Sequence, residues 1–380
     1  MRGIFNLVAF RPRQKAGIFK YTSRAERSMM GLLTGERGAR MKAVYYTQAE
    51  RFTVREIDLP EIKDNQILLK VKSCGVCRTD VHLHHGEFMA RYPLVPGHEF
   101  VGEVAAVGRA VTDFSVGDRV CADNTELCGH CYYCRRNQPL YCENFYSLGV
   151  NGPGGFAEYV AVNHDKVFPL HELRYDQGVM VEPTACAVHG LDVIDVRPGD
   201  EVLMFGTGPT GLILAQLLKH AGAAKLVVAA SDERKLEVAR ELGADEVVKL
   251  DRHDYSAHEN ALRDRFPRGF DIVIDATGAR EVIQHMAKFA KKGAKIVIYG
   301  VASHDDEITI SPYEVFQKEL KIIGSFAQTH CFDRAISYIR GGVVRTEPLI
   351  THRFPLEEFG KAMEQVETGK GHIKVVIDVS

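Results

Sequence analysis

The sequence predicts a two-domain α/β protein, in which a mostly antiparallel β domain precedes a doubly wound parallel-sheet domain. Three observations predict it. Short β-type runs separated by Gly, Pro, Asp and Asn fill residues 41–185. A strand-like run, Glu201–Phe205, enters Gly206-Thr-Gly208-Pro-Thr-Gly211 and then a helical pattern. Beyond that turn, apolar strands alternate with amphipathic helices. With 380 residues the chain can bury two separate cores.

Composition narrows the class. Hydrophobic residues at 45% and charged residues at 26% are ordinary for a globular protein, which argues against a disordered chain. No apolar run approaches the roughly 18 residues of a membrane span. A formal charge of −2 is unlike the clustered basic face that nucleic acid requires, so neither membrane nor nucleic acid is an expected partner. Of nine Cys, four fall within Cys128–Cys142. An odd total without a secretory signal points to metal thiolates rather than disulfides.

Residues 1–40 stand apart, with nine Lys/Arg against two acidic residues. That is the composition of a mitochondrial transit peptide, and equally of a disordered leader or an upstream start before Met41. The segment is expected to take no part in the fold. The cytoplasm is the expected compartment, or the mitochondrion if 1–40 acts as a transit peptide.

In the first domain, 41–185, strands are predicted over 42–47, 52–57, 66–74, 100–108, 118–122 and 157–162. Cys128, Cys131, Cys134 and Cys142, at two, two and seven intervening residues, can close a tetrahedron around one structural zinc. A second donor set is of another kind: Cys77 in a loop after a strand, and His98-Glu99 opening the next strand. Thiol, imidazole and carboxylate are the ligands of a zinc with one position left open. His82, His84 and His85 compete as ligands, Thr79 is close enough to offer a hydroxyl, and Glu182 waits downstream as a further carboxylate.

In the second domain, 186–326, the glycines have separate tasks. Gly206 makes a tight turn, Gly208 admits a pyrophosphate to the backbone, and Gly211 lets helix pack on strand. The pyrophosphate would rest on the helix N-terminus. Strands at 201–205, 225–230, 246–250, 270–275, 295–299 and 321–325 make a six-stranded sheet, with helices at 212–220, 234–242, 259–265 and 280–290. The second strand ends Ala229-Ala230-Ser231, where an NAD enzyme usually carries an acid for the ribose 2′-hydroxyl. A small Ala230, with Ser231 and Arg234 (or Lys235) beside it, favours NADP(H) over NAD(H). Asp232 swinging onto the ribose is the rival arrangement.

Together, Gly-Val-Cys77-Arg-Thr-Asp, Gly97-His98-Glu99-Phe-Val-Gly-Glu-Val, the four-thiol lobe and the Gly-rich turn resemble the zinc-dependent medium-chain dehydrogenase/reductase family, from about Met41 to the end. The resemblance implies a GroES-like catalytic domain and a Rossmann domain. It implies Cys77 and His98 as ligands of a catalytic zinc, Glu99 as an exchangeable ligand, and Thr79 on a proton path. Glu182-Pro183 with Val-His-Gly is similar to the polyol branch, in which the equivalent Glu sits at the zinc. Residues 327–380 look like the segment that returns to the first domain, and Lys374 resembles the family's basic contact to cofactor phosphates. The implied activity is hydride transfer between a secondary hydroxyl of a sugar alcohol (D-arabinitol, mannitol, sorbitol or xylitol) and NAD(P), by a homodimer or homotetramer with two zinc ions per chain. A secondary alcohol or diol dehydrogenase is the alternative enzyme. A zinc-holding NADP(H)-binding protein without activity is the alternative of another class.

Overall fold

A computed structural model describes residues 38–251, 255–368 and 371–379, with the side chains of 255–257 excepted; the expectation for the basic leader falls outside the described residues. The β-rich part runs β1 (Arg40–Gln48), β2 (Arg51–Asp58), β3 (Gln66–Val76), β4 (Glu99–Val107), β5 (Arg119–Ala122), β6 (Thr125–Glu126), β7 (Tyr146–Ser147), β8 (Tyr159–Asn163) and β9 (Val167–Pro169). The alternating part holds β10 (Glu201–Phe205), β11 (Lys225–Ala230), β12 (Glu246–Lys249), β13 (Phe270–Asp275), β14 (Ala290–Ile298) and β15 (Lys321–Gly324). The chain ends with β16 (Ile350–Pro355) and β17 (Lys374–Asp378).

The organising strand of the first sheet is β3. It pairs antiparallel with β4 along one edge, while β8 and then β17 share the other edge. The full order is β16-β17-β3-β4-β5-β9, so the last strands of the chain close onto the first domain. Leu69, Val71, Val104, Val160, Phe156 and Phe359 are buried in its core.

The second sheet has the order β12-β11-β10-β13-β14-β15, parallel throughout. Its strands read as continuous apolar runs because both faces are covered. Alternate residues feed opposite layers. Val202, Met204, Val228 and Ile274 pack into one core, and Leu203, Phe205, Val227 and Val273 into the other. The first core also takes the helices Val181–Ile194 and Phe332–Arg340.

The predicted strands agree with the observed ones to within a few residues at each end. The Arg280–Ala290 helix stops at His285 and tightens into a 3-10 turn over Met286–Phe289. β6, β7, β9 and β16 had no strand signal; the first three are two or three residues long.

Candidate metal centre and dinucleotide site

Strand register assembles the mixed donor set. Gly75 lies opposite Glu99 and Cys74 opposite Phe100, so the end of β3 meets the start of β4. Cys77 then caps the helix Arg78–His84, and its N–H donates to Asp80 Oδ2 at 2.8 Å. That cap fixes the thiol where chain direction changes. The ligand atoms of Cys77, His98 and Glu99 come within 4.8 Å of one another. Ligands on one tetrahedral zinc lie about 3.3–3.8 Å apart, so a small closure suffices.

The surroundings favour positive charge at this point. His98 is 5% exposed, and its Nδ1 faces Asp80 Oδ1 at 3.7 Å. Burial pulls the imidazole down, but Asp80 and Cys77 outweigh burial and hold it well above its ordinary value. A field that favours a protonated imidazole also favours a metal ion on a neutral one. Asp80 is the partner that orients the ligating ring. Thr79 Oγ1 lies 3.7 Å from Cys77 Sγ.

Lys374 is buried and has an anionic partner. Its side chain is 1% exposed and ion-paired with Glu99, also 1% exposed. Burial pulls its ammonium down; Glu99 first, then Cys77 and Glu182, hold it above the ordinary value. β17 pairs with β3 so that Val375 faces Val76, which seats Lys374 beside Glu99. Gly75 makes the room: a Cβ there would lie 2.0 Å from Glu99 Oε2 and 2.8 Å from Lys374 Cε.

Glu182 falls outside the ligand group. It sits in the first turn of Val181–Ile194, where its Oε1 accepts from Cys186 Sγ at 3.5 Å. Burial pushes it up to about 7, with His98 and Lys374 opposing and Glu99 adding to the shift. It therefore shares the field of the donor set. The three competing histidines are engaged away from the site: His82 with Glu87, His84 with Tyr46, and His85 with Glu50 and Glu367.

The four thiols form the second group, also within 4.8 Å. Cys131 Sγ and Cys142 Sγ are 4.0 Å apart, and the Cys128 N–H donates to Cys142 Sγ at 3.4 Å. Backbone N–H groups, that of His130 foremost, bring Cys128 down to about 5, and Cys131 is lowered too. Burial, then the neighbouring thiols, push Cys134 up to about 12, so the metal-free group holds thiolate and thiol together, and four sulfurs at this spacing suit a closed zinc site.

On the other side, Gly206 has φ 112°, open to glycine alone without strain, and a Cβ on it would lie 2.7 Å from the Ala276 carbonyl. Gly208 caps the helix Pro209–His220, and a Cβ there would meet nothing within 4 Å, so its backbone faces open space. At Gly211 a Cβ would press on Gly206 O at 3.2 Å and Ala276 Cβ at 3.3 Å. Such a turn fits a pyrophosphate. Phe205 pairs with Ala229, and Gly206 N–H donates to Ala229 O, so Ala230 lies beside the turn. Asp232 is occupied as a helix cap, accepting from Lys235 N–H at 3.1 Å. Arg234 is exposed and Ser231 half-buried next to it.

Tyr299, unforeseen in the sequence, ties the two sides together. It follows β14, its ring leans on Gly190, and its hydroxyl oxygen is buried. Burial raises it, with Cys186, Glu182 and Cys77 on one side and the Thr210 hydroxyl of the Gly-turn helix on the other. The donor set and the Gly-turn helix therefore both act on the one buried Tyr299 hydroxyl.

The family model for the alcohol dehydrogenase GroES-like domain matches residues 63–172, and that for the zinc-binding dehydrogenase matches 209–340. D-arabinitol dehydrogenase 1 of Uromyces fabae is 44% identical over 86% of this chain and 94% of its own. D-altritol 5-dehydrogenase of Agrobacterium fabrum is 32% identical over 84% and 94%. Among solved structures, a zinc-binding dehydrogenase from Sinorhizobium meliloti 1021 bound to NADP aligns with a TM-score of 0.84 at 32% identity, over 90% of this chain and 100% of that one.

Proposed function

The chain belongs to the zinc-dependent medium-chain dehydrogenase/reductase family, and we propose that it oxidises a secondary hydroxyl of a sugar alcohol to a ketose, D-arabinitol being the first candidate. The observation that carries this reading is the donor group of Cys77, His98 and Glu99, whose ligand atoms lie within 4.8 Å of one another. The polyol class rests on Glu182-Pro183 and on the likeness to two alditol dehydrogenases.

Zinc, when bound, lowers the pKa of an alcohol oxygen, and the nicotinamide accepts the hydride. The chain's own residues supply the rest. Cys77, His98 and Glu99 would hold the ion, Asp80 orients His98, and Lys374 keeps Glu99 in place. Thr79 takes the proton of the substrate hydroxyl and passes it on. Glu182 contributes a second, buried carboxylate nearby, and Cys128, Cys131, Cys134 and Cys142 would hold a second, structural zinc. Gly206, Gly208 and Gly211 present backbone N–H groups to the pyrophosphate.

The cofactor reading is NADP(H) before NAD(H). Ala230 offers no carboxylate to repel a 2′-phosphate, and Asp232 is already committed to its helix. Residues 41–185 with 327–380 act as the catalytic domain and 186–326 as the dinucleotide domain. The assembly is a homodimer or homotetramer: β15 is an open edge strand, with Phe316 80% and Tyr313 73% exposed nearby. Among the described residues, no helix is long and apolar enough to cross a membrane.

Initial rates on a panel of pentitols, hexitols and simple secondary alcohols, each with NAD and NADP, test the proposal. Faster turnover of a pentitol or hexitol, with NADP, is expected. Turnover of simple alcohols or diols alone would discard the polyol substrate.

A further inference from the structure

We propose that loop 143–155 is a strut through which the four-thiol lobe sets the position of His98, with Asn151 and Gly149 as its positioning residues. The proposal rests on the reading that Cys77, His98 and Glu99 hold a metal ion.

The strut begins inside the lobe. Glu143 lends a backbone N–H to the Cys131 sulfur, and Asn144 lends its side chain to the Cys128 sulfur. The Phe145 N–H donates to the Cys142 carbonyl at 3.2 Å. β7 then pairs with β6, Thr125 opposite Ser147, so both ends of the lobe leave through one neck.

Asn151 grips that neck from beyond it and is only 9% exposed. Its Oδ1 accepts from Ser147 N–H at 2.7 Å, and its Nδ2 donates to the Phe145 carbonyl at 3.2 Å. Asn124, just before β6, grips the same place. Its Nδ2 donates to Ser147 Oγ at 2.8 Å, and its carbonyl accepts from Leu148 N–H at 2.8 Å. Buried polar groups paired in this way hold one geometry, because any shift leaves a donor or acceptor unsatisfied away from water.

The far end of the strut reaches His98. Gly149 N–H donates to the Gly152 carbonyl at 2.9 Å and closes a turn at φ 78°, which favours glycine. A Cβ on Gly149 would overlap the Gly97 carbonyl and lie 2.7 Å from His98 N. Beyond the turn, three successive N–H groups hold the chain that leads into His98. Gly154 donates to Val95 O at 2.8 Å, Gly155 to Gly97 O at 2.7 Å, and Phe156 to Pro96 O at 3.0 Å. The main chain of His98 is therefore pinned from the lobe side, while its ring faces Asp80 on the other.

A continuous path of buried hydrogen bonds and close packing can carry coupling between two sites. An ion that orders the lobe also orders Ser147, Asn151 and Gly149, and so the backbone at Gly97. By linkage, an ion at His98 strengthens metal binding in the lobe by the same factor. Removing support behind a metal ligand costs about 10–100-fold in metal affinity.

Cobalt(II) put in place of zinc in the intact chain tests this, because the two sites differ in absorption: four thiolates in the lobe, one at His98. Titration of Co2+ against a chelator then reads each affinity separately. Asn151→Ala removes both side-chain bonds and touches no ligand; it should weaken the one-thiolate site about tenfold. Asn151→Asp keeps the acceptor for Ser147 N–H, should recover part of that loss, and guards against a misfolded alanine variant. Gly149→Ala should weaken the site at least as much as Asn151→Ala. Cys142→Ser should weaken it by a similar factor, and adding Asn151→Ala should then cost little more, because both act along one path. Unchanged affinity at the one-thiolate site in folded Asn151→Ala and Gly149→Ala would overturn the strut. Unchanged affinity there in Cys142→Ser would overturn its connection to the lobe. Absence of the one-thiolate cobalt signal in wild type would overturn the metal reading and the strut with it.

Discussion

Replacing Lys374 by Met tests the most enclosed electrostatic contact beside the metal centre. Lys374 and Glu99 are each 1% exposed and paired, in space left by Gly75. Met keeps the side-chain volume and removes the charge, leaving the Glu99 carboxylate buried without its cation. Breaking a buried pair from one side costs about 3–5 kcal/mol. At about 2 °C per kcal/mol for a unit of this size, the thermal midpoint of zinc-stripped protein should fall by about 6–10 °C. In zinc-loaded protein the fall should be smaller, because the ion takes over part of the countercharge. Differential scanning fluorimetry of both variants, with and without chelator, reads both effects. Gly75→Ala should produce a comparable loss by driving a methyl into the pair. An unchanged midpoint in stripped Lys374→Met would show that Glu99 is not held by Lys374, and would refute this account of its placement.

Cys142→Ser should remove one zinc per chain, measured by elemental analysis, and lower the thermal midpoint, because the lobe between β6 and β7 has little apolar core of its own. Ala230→Asp should move the NADP/NAD preference in kcat/KM toward NAD; an unchanged ratio would remove Ala230 from the cofactor argument. His85 should make stability depend on pH. Glu367 and then Glu50 raise it above its ordinary value, so its contribution is complete below the unfolded pKa of about 6.5 and disappears as pH rises through the higher folded value. The midpoint difference between wild type and His85→Gln should therefore be larger near pH 6 than near pH 8.5 and vanish at the higher pH.

What the sequence revealed was local. The Cys128–Cys142 thiols and the Gly206–Gly211 turn are set by spacing along a few residues, and the structure shows the four thiols gathered and the Gly206 turn tight against Ala276. Cys77 and His98-Glu99 were legible as donors, although only the β3–β4 register shows how they meet. Contacts made by long-range pairing were not legible. Lys374 was singled out by resemblance to a phosphate contact; its pairing with Glu99 is reached only through β17 and β3. Tyr299 and Asp80 lacked any motif. Asp80 alone left a signal, an acid three residues after a helix cap. Glu182 was legible as a further carboxylate; its contact with Cys186 one helical turn on was not.

The central claim is that Cys77, His98 and Glu99 hold the working zinc beside the dinucleotide. The most direct test is zinc content, turnover and dinucleotide binding measured together on wild type and Cys77→Ser. The account predicts two zinc ions per chain falling to one, with turnover lost and dinucleotide binding kept. Full turnover in Cys77→Ser, or two zinc ions retained with unchanged rates, would contradict it.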